Sequence, residues 1–142
     1  MSYGASEALQ RAIYARLAGD ADLHAAVGGA IHDAVPEPAP PLFVALGTET
    51  VRAVRDATGG GAWHDLRVSV VTRGHGYAEA KSVGARIADL LDNADLTLAR
   101  GTLIDLRFRR ARARRDRATG GRRLDLWFRA RTDDDNTTGA GA

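Results

Sequence analysis

The sequence predicts an α+β domain: a mainly antiparallel four-stranded sheet with two main helices packed on one face and long projecting hairpins. Three observations carry that expectation. Apolar residues recur at helical spacing from Ser6 to Leu17 and from Tyr77 to Asn93. They alternate with polar residues in four other stretches, Leu42 to Val54, Trp63 to Thr72, Thr102 to Arg112 and Arg123 to Arg131. Polar or glycine-rich turns join those four stretches in two pairs. The chain has 142 residues, enough for one core without a metal or disulfide to hold it.

In the first helix, Leu9, Ala12, Ile13 and Leu17 form the buried stripe, Ser6 is the expected N-cap and Gly19 the stop. Asp20 to Val27 repeats the pattern over one or two turns, with Asp20 or Asp22 as cap and Gly28-Gly29 as terminator. A brief extended piece follows from Ala30 to Val35. Pro36, Pro38, Pro40 and Pro41 then dictate an extended connector outside the core.

The first strand places Leu42, Val44 and Leu46 on one face and Phe43 and Ala45 on the other. Its return partner turns Leu66, Val68 and Val70 inward and Asp65, Arg67 and Ser69 outward. Between them, Arg55 to Gly61 reads as a mobile hairpin tip, because three successive glycines favour no single backbone conformation. Gly74-His75-Gly76 breaks the pattern before the second helix, which buries Ala80, Val83, Ile87, Leu90, Leu91 and Ala94. In the last hairpin, Ile104, Leu106, Phe108, Leu124, Leu126, Phe128 and Ala130 share the core face. The domain is assigned to residues 1–131, and residues 132–142, with their aspartate triplet, to a disordered acidic tail.

Composition removes several functions. With no cysteine, thiolate metal sites, iron–sulfur clusters, disulfides and thiol catalysis are excluded. No apolar run approaches the ~20 residues that span a bilayer, and the first sixteen residues lack a signal-peptide core, so a cytoplasmic chain without membrane contact is expected. His24, His32, His64 and His75 have no metal-ligand or zincin spacing and read as surface residues. The glycine runs lack the remaining residues of a P-loop or dinucleotide fingerprint, and no serine sits in a nucleophile elbow. No enzyme and no cofactor are expected.

The arginines are the strongest chemical feature. Twelve arginines and three aspartates lie between Arg100 and Arg131, a local excess of +9, so in a chain of net charge +2 the remainder carries −7. Such asymmetry points to a polyanion or to a complementary acidic protein surface. Part of it is also residue usage, since Lys81 is the only lysine. Arg107, Arg109, Arg110, Arg112, Arg114, Arg115 and Arg117 lie on one strand and its turn, with Arg122, Arg123, Trp127, Arg129 and Arg131 on the partner. Regular alternation puts Arg107 and Arg109 outside and would turn Arg110 and Arg112 inward. Burying them unpaired is costly, so the hairpin is expected to leave the sheet near Arg110. Guanidinium groups suit both carboxylate pairing between subunits and phosphate contact. Protein contact is the preferred use, with Trp127 as an interface anchor or a base-stacking platform.

Leu9 to Leu17 with the Asp20-Ala21-Asp22-Leu23 turn, Val27 to Pro36, Pro41 to Gly47, Leu90-Leu91, Leu96-Thr97-Leu98 and Leu124 to Ala130 resemble, in that order and spacing, the tail-completion or tail terminator proteins of long-tailed phages and gene transfer agents. The resemblance covers nearly all of residues 6–131. It implies a structural virion protein, assembled in the host cytoplasm, that sits at the head–tail junction. There a ring, hexameric in the family, caps the tail tube, ends its polymerisation and joins it to the head connector or stopper. DNA passes through its lumen without specific binding. The family brings no catalytic residues. Its usual tyrosine after the proline is replaced by Leu42-Phe43, which affects packing alone.

Within this frame Arg107, Arg109, Arg110, Arg112, Arg114, Arg115, Arg117, Arg122, Arg123, Trp127 and Arg129 are the candidate subunit or partner interface. Arg55, Asp56, Thr58, Gly59, Gly60 and Gly61 are the candidate loop for docking tube or connector. The alternative is a small nucleic-acid-binding α+β domain that uses the arginine-rich sheet face. Against it, the strands lack the aromatic pairs of an RNA-recognition sheet and the net charge is near zero.

Overall fold

A computed structural model describes residues 3–56 and 59–134. Its elements run α1 (Ser6–Ala18), α2 (Ala21–Val27), β1 (Ile31–His32), β2 (Leu42–Asp56), β3 (Gly59–Thr72), α3 (Ala78–Leu91), β4 (Thr102–Arg115) and β5 (Arg122–Asp133). The strands form one sheet in the order β1-β2-β3-β5-β4. Two long antiparallel hairpins therefore pair through β3 and β5, in register from Gly61 opposite Asp133 to Thr72 opposite Arg122.

The fold is α+β, as expected, with five strands instead of four and three helices among the described residues. The added strand is β1, which pairs parallel to β2 through Ile31 with Val44 and His32 with Ala45. The sequence predicts only a brief extended piece from Ala30 to Val35, and two residues are too few for alternation to show that it joins the sheet. Asp20 caps α2 as expected, its carboxylate accepting the Leu23 N–H at 2.9 Å, and Gly28 ends the helix in the left-handed region. Ser6 does not cap α1: it lies in the first turn, and its hydroxyl donates to Glu49 on β2.

All three helices cover one face of the sheet. Leu9 and Leu17 of α1, Leu23 of α2 and Ile87 and Leu91 of α3 are buried against Val44, Val70, Leu126 and Phe128. Each such side chain contributes about 1.5–3 kcal/mol by leaving water. Gly84 lets α3 approach closely, because a Cβ there would overlap the Leu124 side chain. On the opposite face, Phe43 and Val71 form a second, small cluster with Ala30, over which Ala39 of the proline connector packs. Arg73 ties that connector down, donating to the carbonyls of Ala39 and Pro41 at 3.0 and 2.9 Å. The connector thus closes the β2–β3 end of the second face and leaves the β5–β4 end open.

Three expectations are corrected. Ile104 is exposed, since a register shift between Leu103 and Asp105 leaves it as the extra residue. The last strand runs past Arg131: Thr132 is buried, Asp133 pairs with Gly61, and the buried Asp134 carboxylate accepts from Arg100 at 3.0 Å. The start of the acidic segment therefore belongs to the folded body, while 135–142 lie outside the described residues. His64 is fully buried, with Nδ1 3.0 Å from Glu49 Oε2 and Nε2 2.8 Å from Thr132 Oγ1. With Ser6 on Glu49, this chain of polar groups joins α1, β2, β3 and β5 inside the core. A surface histidine was expected because sequence spacing does not reveal partners that lie 15 and 68 residues away.

Candidate interface on the open sheet face

Strand alternation builds this face. β3 contributes Asp65, Arg67 and Ser69, directly opposite Arg129, Trp127 and Asp125 of β5. β4 then adds Arg107 opposite Arg129. After Phe108 the ladder shifts, so that Arg110 stands opposite Trp127 and Arg109 is the extra residue of a bulge. One inserted residue inverts the parity of everything beyond it. Arg110, Arg112 and Arg114 join the outer face, and Ala111 and Ala113 turn toward the helix side, opposite Leu126 and Leu124. The hairpin therefore does not leave the sheet near Arg110. It stays paired to its last residues, Arg115 opposite Arg122, and Asp116 and Gly121 close the turn with a 2.9 Å backbone hydrogen bond. The bulge gives the arginines solvent without breaking the ladder.

Asp125 organises the face. Its side chain is 2 % exposed, accepting from the Ser69 hydroxyl at 2.6 Å, Arg123 Nε at 2.9 Å and Arg114 Nε at 3.4 Å. Burial pushes its carboxyl pKa up, but the hydrogen bonds from Ser69 and Arg123 and the charges of Arg123 and Arg67 outweigh this. The net result lies below the ordinary carboxylate value. Arg123 also donates to Ser69 Oγ, so serine, carboxylate and guanidinium close a ring of contacts. Beside this knot, the Arg110 guanidinium lies 3.7 Å from the centre of the Trp127 ring, a cation–π stack. Arg129 pairs with Asp65 at 2.9 Å and Arg107 with Asp105 at 2.8 Å.

The other predicted interface residues fall in two places. Arg109, Arg112, Arg115 and Arg117 are exposed and have no hydrogen-bonding, ion-pair or ring partner among the described residues. Arg115 and Arg122 lie on the helix side, where Arg122 faces the Tyr77 ring at 5.3 Å. The face is thus graded, with Arg123 and Arg129 of β5 paired to carboxylates and free Arg109 and Arg112 on β4.

The predicted docking loop is changed more. Arg55 pairs with Gly60 and Asp56 with Gly59, so both strands run to the end of the hairpin, while Thr58 lies outside the described residues. Gly61 is no hinge: β5 lies alongside it, and a Cβ there would overlap the Arg131 guanidinium and the Thr132 carbonyl. The glycines read as a loose tip only while β5 is taken to stop at Arg131. Sequence reasoning also missed Ser69 and Asp65 as partners of the arginines. Their signal was the matched alternation of Asp65-x-Arg67-x-Ser69 and Asp125-x-Trp127-x-Arg129, which needs only a strand register to become contacts.

Comparison with known proteins identifies the family. The profile of the family described as tail completion protein gp17 matches residues 11–133. Among solved structures, the chain is similar to one from a structure titled virion of native gene transfer agent (GTA) particle. They share 48 % identity and a TM-score of 0.86, covering 93 % of this chain and 99 % of that one. No curated protein matches.

Proposed function

We infer the function of this chain from the premise that it belongs to the tail completion protein gp17 family: it is a structural protein of a phage or gene-transfer-agent tail, located in the virion. More specifically, it forms a ring, hexameric in this reading, that caps the tail tube, ends its polymerisation and joins it to the head connector. The observation that carries this reading is the match to a gene transfer agent virion chain over nearly the full length of both. The physical support is the uneven charge. A closed ring needs two different patches on each subunit, one to meet the other. An arginine-rich face in a chain otherwise of net charge −7 supplies an opposed pair.

The free cations Arg109, Arg112, Arg115 and Arg117 are the contacts to protein carboxylates, with Arg107, Arg110, Arg114, Arg122, Arg123, Trp127 and Arg129 as their support. The end of the β2–β3 hairpin, from Arg55 to Gly61, meets the tube or the connector. DNA passes the lumen without specific contact, and no step of this role requires catalysis or a cofactor. The test is electron microscopy of particles from cells lacking only this gene. Overlong or irregular tails detached from filled heads are the expected result, and normal attached tails would remove the reading.

A second reading, contact of the same face with duplex DNA, is favoured by the partnerless Arg109 and Arg112 on β4 near the Trp127 stack. Its mark would be an affinity that falls steeply with salt as phosphate counterions are released.

A further inference from the structure

The two edges of the sheet differ in a way that suits head-to-tail association. β4 is one outer strand and β1 the other. On the helix side of the β4 edge lies an open groove of about 420 Å³. Its walls are Ala85 and Ala88 of α3 and Ala111 and Ala113 of β4, and its floor is Leu124 and Leu126. The bulge at Arg109 creates it, because the residues that turn inward beyond it are alanines too short to reach α3. Ala111 and Ala113 consequently remain exposed on the face that elsewhere forms the core. The mouth at the turn end is cationic. Lys81 lines it, Arg115 and Arg122 occupy the same face of the last ladder pair, and Tyr77 lies between Lys81 and Arg122, 5.9 and 5.3 Å from their charges. Phe108 also lines the groove, its backbone N–H donating to the Asp92 carboxylate at 2.9 Å.

The opposite edge carries the complementary shape and charge. Immediately after β1, Asp33-Ala34-Val35-Pro36-Glu37-Pro38 is exposed throughout, with Val35 39 % exposed between two carboxylates. Pro36 and Pro38 restrict the backbone of this segment before it meets anything, so docking it costs little chain entropy. A branched apolar side chain flanked by acids fits an alanine-walled slot with a cationic mouth.

We propose that the Asp33–Pro38 segment of one copy docks, with Val35 inserted, in the α3–β4 groove of the next copy, and that this contact joins neighbouring subunits. The proposal rests on the ring reading above. Because the groove and the segment lie at opposite sheet edges, each copy gives one and receives one, which is the heterologous contact that a cycle requires.

The absence of cysteine makes the test clean. The purified full-length chain carrying Val35→Cys together with Ala111→Cys is oxidised and run on a non-reducing gel. Each single-cysteine variant is treated alike, and the wild-type chain is weighed by native mass spectrometry. The expected result is a ladder of covalent multimers from the double variant alone, since in a heterologous contact neither cysteine meets its own copy. In addition, Val35→Asp, at an exposed position that leaves the core intact, is expected to lose the higher oligomers. A double variant without a ladder, or with no more than the single variants give, beside wild-type rings in the mass spectrum, would overturn this contact and leave the ring reading standing. A wild-type chain monomeric at every concentration, with no ladder, would overturn both.

Discussion

Two polar clusters in this molecule have similar chemistry and opposite surroundings. On the helix side, Ser6, Glu49, His64 and Thr132 form a chain of hydrogen bonds buried except at the part-exposed Glu49. On the open side, Ser69, Asp125, Arg123 and Arg114 form a knot at the edge of an arginine field. The first joins elements distant in sequence and presents nothing to a partner. The second consumes part of the positive charge, fixes Arg123 and Arg114 in place, and leaves Arg109, Arg112, Arg115 and Arg117 free. The arginines separate the roles: a cluster satisfied beneath the helices specifies the fold, and one whose buried carboxylate holds partly exposed guanidinium groups arranges what the surface can bind.

The comparison is broken most severely at Asp125. Asp125→Ala leaves two arginines without their buried counter-charge and Ser69 without its acceptor, so the chain should lose about 3 kcal/mol of stability in urea unfolding. His64→Ala removes two buried hydrogen bonds and leaves a cavity, an expected loss of about 2 kcal/mol by the same measurement. If His64→Ala proved nearly neutral, the core cluster would not specify the fold as argued.

Acid sharpens the contrast with a third carboxylate. Asp20 is held down to about 2 by the Arg86 guanidinium, which hydrogen-bonds it, and by the Leu23 N–H. Its folded-state pKa is below its unfolded value of about 3.8, so its stabilisation is complete above that value and fades as pH falls toward 2. Asp125, also lowered, acts in the same direction. Acid titrations of unfolding should therefore show a shallower loss of stability below pH 4 in Asp20→Asn than in the parent chain. The smallest expected effect is at the free cations. Arg109→Gln with Arg112→Gln should change stability by no more than about 0.5 kcal/mol, while weakening subunit association as seen by native mass spectrometry. Intact assembly with altered DNA passage in that variant would favour the duplex-contact reading.

The helices, the two hairpins and most inward residues, Ile104 and Phe108 being exposed, were legible in the sequence, because periods of 3.6 and 2 are imposed locally by backbone geometry. The excess of arginine in the last hairpin was legible for the same reason. It is a property of composition along the chain, as is the ordered set of segments that resembles the tail completion family. The sequence by itself also narrowed the cap of the second helix to Asp20 or Asp22, since a cap needs only its own three following residues.

Tertiary structure alone decided the rest. A single extra residue at Arg109 chose which face every later side chain of β4 occupies, and alternation cannot show a bulge whose energy depends on the neighbouring strand. Thr132 to Asp134 became part of the sheet because Gly60, Gly61 and Arg100 stood ready to receive them. The same pairing turned Gly61, which resembles part of a loose tip, into a position of close approach. His64 is a core residue through Glu49 and Thr132, 15 and 68 residues away, and Ser69 is a ligand of the arginine knot through Asp125, 56 residues away. Local pattern reports which way a side chain points within its own strand. What it meets there is a long-range fact, set when the strands choose their register.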